Sequence, residues 1–192
     1  ATTENFLKQA PDFGILHLAT HGNADSYKGE LSYLAFAENA GSNSPDFLTV
    51  NDFRNLRLNA DLAVLSACET GIGEFRRGEG VVSLASGIAH SGARSVVTTL
   101  WAVSDIASAK LVESFFGNLK KEMPKDEALR HAKLDYIAQN PNDKAHPFYW
   151  AGFIAVGEMN SLSFGVHFGW YLVGGLILIF VFYTFLRFFK IT

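Results

Sequence analysis

Disulfide chemistry is excluded at the outset, because the chain has a single cysteine, Cys68, and one thiol cannot close an internal bridge. Nothing here points to an oxidising compartment. A cationic excess is missing as well: 16 Lys and Arg against 19 Asp and Glu leave a net charge of −3, and the basic residues are scattered rather than clustered. Without a basic field to meet phosphates, nucleic acid is not expected as a partner. Charge of either sign is scarce, at 18% of residues, while 48% are apolar, which is rich for a soluble domain. There are no internal repeats and no low-complexity tract. The chain opens on Ala1 with neither an initiator Met nor a secretory signal, which reads as a segment of a longer polypeptide.

What the chain does have is apolar runs, and the most informative is Leu62-Ala-Val-Leu-Ser-Ala-Cys68-Glu-Thr-Gly71. Its first half reads as a strand buried on both faces, as in a parallel sheet, and its end presents the thiol just before glycine punctuation. Ligands and reacting groups gather beyond the carboxyl ends of such strands, where loops vary while the sheet stays rigid. A second run, Phe13-Gly-Ile-Leu-His-Leu-Ala-Thr-His21-Gly22, ends in the same way. Two neighbouring strands with these endings would set His21 beside Cys68, a base beside a nucleophile. Around them the pattern predicts a helix over residues 1–10 capped by Thr2 or Thr3, an apolar run over 31–37, and a short helix after Thr49 or Asn51. It continues with a glycine-rich loop over 71–80, a crossover helix over 81–90, a parallel strand over 95–101, helices over 106–121 and 125–139, and a last strand over 148–156.

The remaining long run lies at the end. Trp170 to Leu186 is uncharged and long enough to cross the roughly 30 Å of a bilayer's hydrocarbon core, with Trp170 and Tyr171 at one end and Arg187 and Lys190 at the other as interfacial anchors. The positive end favours a cytoplasmic C-terminus, whereas the absence of a signal sequence and the cysteine usage favour a tail-anchored, single-pass protein with its soluble domain in the cytoplasm. Gly165 and Gly169 match a GxxxG helix-pairing pattern at the edge of this span.

Bland readings compete for several of these residues. A lone cysteine in an apolar run is usually core packing. His17 and His21 are four apart, half of a helical zinc site, but Gly14 and the strand-like composition oppose a helix and no third ligand completes the set, so no metal is expected. His17 then reads as a satisfied core histidine. Gly71 and Gly73 lack the third glycine of a dinucleotide loop, Arg76 standing in its place, so no nucleotide cofactor is expected. His146-Pro147 reads as a structural turn, and Glu69 and Thr70 as positioning or capping residues.

His-Leu-Ala-Thr-His21-Gly22, Val-Leu-Ser-Ala-Cys68-Glu-Thr-Gly71, Gly78-Glu-Gly80, Gly92-Ala-Arg-Ser-Val-Val-Thr-Thr-Leu-Trp101, Ala128-Leu-Arg130 and His146-Pro-Phe-Tyr-Trp-Ala-Gly-Phe153 occur in one order. In that order the chain resembles the CHAT family, caspase-like cysteine peptidase domains commonly associated with tetratricopeptide repeats and related to caspases and separases. The His21-to-Cys68 spacing of 47 positions is also close to the roughly 50 noted for caspases. The resemblance implies an α/β fold, a caspase-like three-layer αβα sandwich around a mostly parallel sheet, over residues 1–158, with 159–192 as linker and transmembrane helix at about 170–186. It implies a His21–Cys68 dyad, an oxyanion hole from the backbone N–H groups of Gly22 and Cys68, and a first specificity pocket built near Trp101 from the Ala102–Asp105 loop. There Asp105 either meets a basic substrate side chain or, with Ser104, caps the following helix. It further implies a protein or peptide substrate and upstream repeat or sensor domains. Caspase-type sheets have further strands before the histidine strand, so one sheet edge of this chain is expected to stand open. The reading is a membrane-anchored cysteine endopeptidase, and the rival is a catalytically silent scaffold of the same fold that binds partners at a membrane.

Overall fold

A computed structural model describes residues 1–37, 46–66, 71–76 and 80–163. Cys68, with Glu69 and Thr70, and the expected transmembrane run over 170–186 therefore lie outside the described residues. Among the described residues no helix is long and apolar enough to cross a membrane. Residues Ala1–Leu162 form one compact unit.

The centre of that unit is β5 (Leu62–Leu65), whose four side chains are all fully buried. Its alternation sends Leu62 and Val64 to one side and Ala63 and Leu65 to the other, and the two sides belong to separate apolar clusters. A strand covered on both faces must be apolar at every position, which is why the segment reads as a continuous run. Burying each leucine fully stabilises the fold by about 1.5–3 kcal/mol. Parallel to β5 lie β1 (Ile15–Leu18) on one side and β8 (Ser95–Thr99) on the other, and β9 (Phe153–Gly157) runs antiparallel along β8. The register sets Ile15 opposite Leu62 and Leu18 opposite Leu65. The result is a mixed α/β fold on a mostly parallel four-stranded sheet, in the order β1-β5-β8-β9.

One face is covered by α1 (Thr3–Gln9), α2 (Val50–Arg54) and α3 (Leu84–His90), with a small antiparallel sheet of β2 (Gly22–Asn23), β3 (Tyr33–Phe36) and β4 (Asp46–Thr49). Phe6 of α1 meets Phe36 and, edge-on, the fully buried Phe53 of α2. The other face is covered by α4 (Asp105–Leu119) and α5 (Lys125–Gln139). These bury Leu111, Phe115 and Leu119 against Ala128, Leu129, Ala132 and Tyr136. Helices on both faces make three layers.

Local chemistry sets the helix starts. Thr2 caps α1, and Thr49 with Asp52 closes a capping box on α2, the Asp52 carboxylate accepting the Thr49 backbone N–H at 2.8 Å. Ser83 and Ser86 form a second box, which starts α3 at Leu84. The helix expected over 81–90 is thereby shortened, because Val81 and Val82 belong to an extended segment. β7 (Gly80–Ser83) pairs antiparallel with β6 (Gly73–Arg76), so the expected glycine-rich loop contains a hairpin. Gly73 is needed there, since a Cβ would lie 1.9 Å from the Val82 carbonyl oxygen.

The last strand is likewise shorter than the expected 148–156. Pro147 opens a 3₁₀ turn through Tyr149, and β9 begins only at Phe153, after the Trp150 indole N–H has bonded the Ala145 carbonyl. At the other end of the sheet, β1 is an edge strand among the described residues.

The end of α3 is held by Gly92, which sits at φ +113° with its Cα against the Leu58 carbonyl, where a Cβ would come within 2.3 Å of the oxygen. Gly92→Ala is expected to cost about 1–3 kcal/mol from backbone strain alone, with the clash adding to it. A thermal melt within about 1 °C of wild type would contradict this account.

Candidate active site

The carboxyl end of β1 is where the two sheets meet. After Leu18 the chain leaves the parallel sheet and enters β2, which pairs with β3. The corner is clamped twice at Ala35: its N–H donates to the His21 carbonyl at 2.8 Å, and its carbonyl accepts the Thr20 hydroxyl. His21 is thus carried on a backbone fixed from both sides, with its side chain exposed. Gly22 follows as the first residue of β2, opposite Leu34.

Beside this corner, β5 ends and the segment bearing Cys68 begins. Ser66 N–H donates to the Leu18 carbonyl at 3.0 Å, extending the β1–β5 pairing by one step. Where the described chain resumes, Gly71 N–H donates to the Thr99 carbonyl at 2.9 Å, at the end of β8. Both flanks of the cysteine segment are therefore tied to the carboxyl ends of parallel strands, the place the sequence pattern reserves for chemistry.

A cleft of about 550 Å³ opens between the end of β1 and α4. His17, His21 and Ser66 line it from the sheet, and Asp105, Glu113 and Phe116 from the helix. On α4, positions 105, 108, 109, 112, 113 and 116 recur at helical spacing and form one face. His17 departs from the core role expected of it. Leu16 and Leu18 are buried on one side of β1, and alternation turns His17 to the other, where it is exposed to the cleft with its ring 5.7 Å from that of Phe116. Its Nε2 lies 2.8 Å from Ser66 Oγ. Burial beside the Phe116 ring lowers its pKa from the ordinary imidazole value by desolvation.

Asp105 is the first residue of α4 and faces the cleft with an exposed side chain. Ser104 occupies the N-cap position, yet no side chain there closes a cap hydrogen bond, contrary to the capping expected of the pair. Trp101 is placed elsewhere. Its indole N–H donates to the Phe148 carbonyl at 2.8 Å, and its ring covers Gly152, where a Cβ would come within 2.8 Å of it. It does not line the cleft. His146 accepts the Phe148 N–H at Nδ1 and so shapes the turn that leads to Trp101's partner. Among the described residues no group of three or more His, Cys, Asp or Glu side chains could hold a metal ion.

Sequence reasoning missed Ser66, Glu113 and Phe116. The signal was available in the alternation: Ser66 shares its parity with Leu62 and Val64, the side of the sheet that faces α4, and His17 shares that side with Ile15. What alternation does not say is that α4 stands back from the edge strand and leaves a cleft there.

Comparison with known proteins places most of the chain in one group. The sequence model described as CHAT domain matches residues 1–158. Tetratricopeptide repeat protein 28 of Mus musculus is 32% identical over 119 residues, and its Homo sapiens counterpart 29% over the same length. In each case the match covers 60% of this chain and only 5% of the relative.

Proposed function

The chain belongs to the CHAT domain family, and from that premise we propose that it is a cysteine endopeptidase acting on a protein or peptide substrate. What supports the reading most is that His21, fixed by Ala35, lines the same cleft as Ser66, the anchored residue from which the Cys68 segment departs. In this mechanism His21 takes the thiol proton and the Cys68 thiolate attacks the scissile carbonyl carbon. The backbone N–H groups of Gly22 and Cys68 receive the developing oxyanion. Collapse expels the amine, which takes its proton from His21, and leaves a thioester. Water activated by the same imidazole then attacks the thioester, releasing the acid and restoring the thiol.

The two carboxylates on the α4 wall, Asp105 and Glu113, suit a basic side chain beside the cleaved bond, and a guanidinium can engage Asp105 bidentately. Trp101, tied to Phe148 and Gly152, serves the pocket by holding the segment that leads to Asp105 rather than by touching substrate. In this reading a helix at about 170–186 anchors the enzyme to a membrane with its catalytic domain in the cytoplasm, in a larger protein that carries repeats.

Cys68→Ala should abolish peptide cleavage with the melting temperature within a few degrees of wild type, since the substitution removes only one sulfur atom. A Cys68→Ala protein that still cleaves would end the assignment, and a wild type that cleaves nothing in a broad peptide library would favour the silent scaffold. Asp105→Asn removes no cap hydrogen bond. It should therefore leave stability within about 1 kcal/mol while slowing cleavage after Arg or Lys by roughly tenfold or more. A preference for cleavage after aspartate in the wild type would exclude this pocket. Deleting residues 170–192 should release the protein from membranes, and continued co-fractionation of the truncated form would refute the anchor.

A further inference from the structure

We propose that the hollow beside Phe148 and Tyr149 is a second subsite for the peptide substrate, taking a large apolar side chain about four residues from the basic one. The inference rests on the peptidase reading and names a further feature of that substrate. Because β9 runs antiparallel to β8, with Phe153 opposite Thr99, the segment before β9 lies at the end of the sheet that carries His21. There a hollow of about 580 Å³ is lined by Asn142, Asp143, Ala145, His146, Phe148 and Tyr149. Tyr149 packs against the cluster that joins α4 and α5 to the sheet, so the hollow and the cleft lie on the same side of the sheet.

Phe115 and Phe153 are fully buried, whereas Phe148 is 48% exposed. A lone exposed ring is ordinary on a protein surface. This one stands on a turn tied by hydrogen bonds along its length. The Trp101 indole N–H donates to the Phe148 carbonyl at 2.8 Å, and the Phe148 N–H donates to His146 Nδ1 at 3.2 Å. The Trp150 indole N–H donates to the Ala145 carbonyl at 2.9 Å. The Phe148 ring meets that of Tyr149 edge-on, with centroids 5.6 Å apart. Two rings on a fixed turn form an apolar wall before any ligand arrives, so binding there loses little to reorganisation. Asp143 on the rim is followed by the exposed Lys144, and their charges offset, so the hollow calls for an apolar side chain rather than a basic one. In the order β1-β5-β8-β9, three strand spacings of about 4.8 Å separate the cleft from the hollow, about 14 Å. An extended peptide rises about 3.3 Å per residue, so about four residues cover that distance.

Binding separates the subsite from turnover. The probes are fluorescein-labelled Gly- and Ser-based peptides that carry one Arg, with Phe about four residues before it, about four residues after it, or absent. Their affinity for the full chain bearing Cys68→Ala is read by fluorescence anisotropy. One of the two Phe peptides should bind about tenfold or more tightly than the peptide without Phe. Phe148→Ala, which removes one wall, and Ala145→Phe, which fills the hollow, should each cut that advantage to about twofold or less, with the affinity of the Phe-free peptide unchanged. Phe148→Tyr should retain it, because the ring remains. Equal affinities for all the peptides, or an advantage that survives both Phe148→Ala and Ala145→Phe, would overturn the proposal. If Phe148→Ala does not fold, Ala145→Phe decides alone. The expected binding pattern beside a wild type that cleaves none of the peptides would refute the peptidase reading and leave the hollow standing as a peptide-binding site. A wild type that cleaves the Arg peptides with a kcat/KM indifferent to Phe would refute the subsite and leave the peptidase reading standing.

Discussion

Everything in this domain hangs on β5 being covered on both faces. Leu62 and Val64 must find one apolar partner layer and Ala63 and Leu65 another, so a sheet with helices on both sides is the arrangement that satisfies all four. Parallel pairing on both flanks follows from the same burial. The crossover through α3 returns the chain to lay β8 beside β5, with Val96 and Val97 divided between the two clusters just as Ala63 and Val64 are. The antiparallel β9 then closes the far side of β8.

The same constraint makes the site. The residues at the strands' carboxyl ends, His21 after β1, Ser66 after β5 and Gly71 tied to the end of β8, are carried on one hydrogen-bonded sheet. β2 and β3 reinforce it by gripping the corner at Ala35 from the layer above. The apolar cluster that packs α4 onto β5 and β8 gives way toward the edge strand β1 to a face that mixes Val112 and Phe116 with Asp105, Ser108 and Glu113, across the cleft from His17 and His21. The cleft is the place where the core ends.

Family membership covers residues 1–158, and it supplies the expectation of cysteine chemistry that the anchored flanks of the Cys68 segment accommodate. The curated relatives are far longer than the stretch they share with this chain, which spans 5% of their length. The repeats in the relatives' names belong to those proteins and say nothing of the chemistry of the cleft.

Alternation and capping residues by themselves determined β5 and β1, a cap at Thr49 or Asn51, the crossover into β8 and α5 from Lys125 to Gln139, because these depend on local spacing and on side chains a few positions apart. His21 and Asp105, both singled out from the sequence motifs, come to line one cleft. Tertiary structure decided the rest. The β6–β7 hairpin was hidden because glycine-rich sequence reads as loop until the close approach of Gly73 to the Val82 carbonyl is seen. The 3₁₀ turn at Pro147 consumed residues whose aromatic character alone suggests a strand. His17 shows the difference most plainly: its place on β1 follows from the sequence, but whether that face meets a packed helix or an open cleft depends on how far α4 stands from the sheet edge. Leu111, Val112 and Phe115 of α4 share one buried cluster with Leu62, Val64 and Val97, a packing that no local pattern contains.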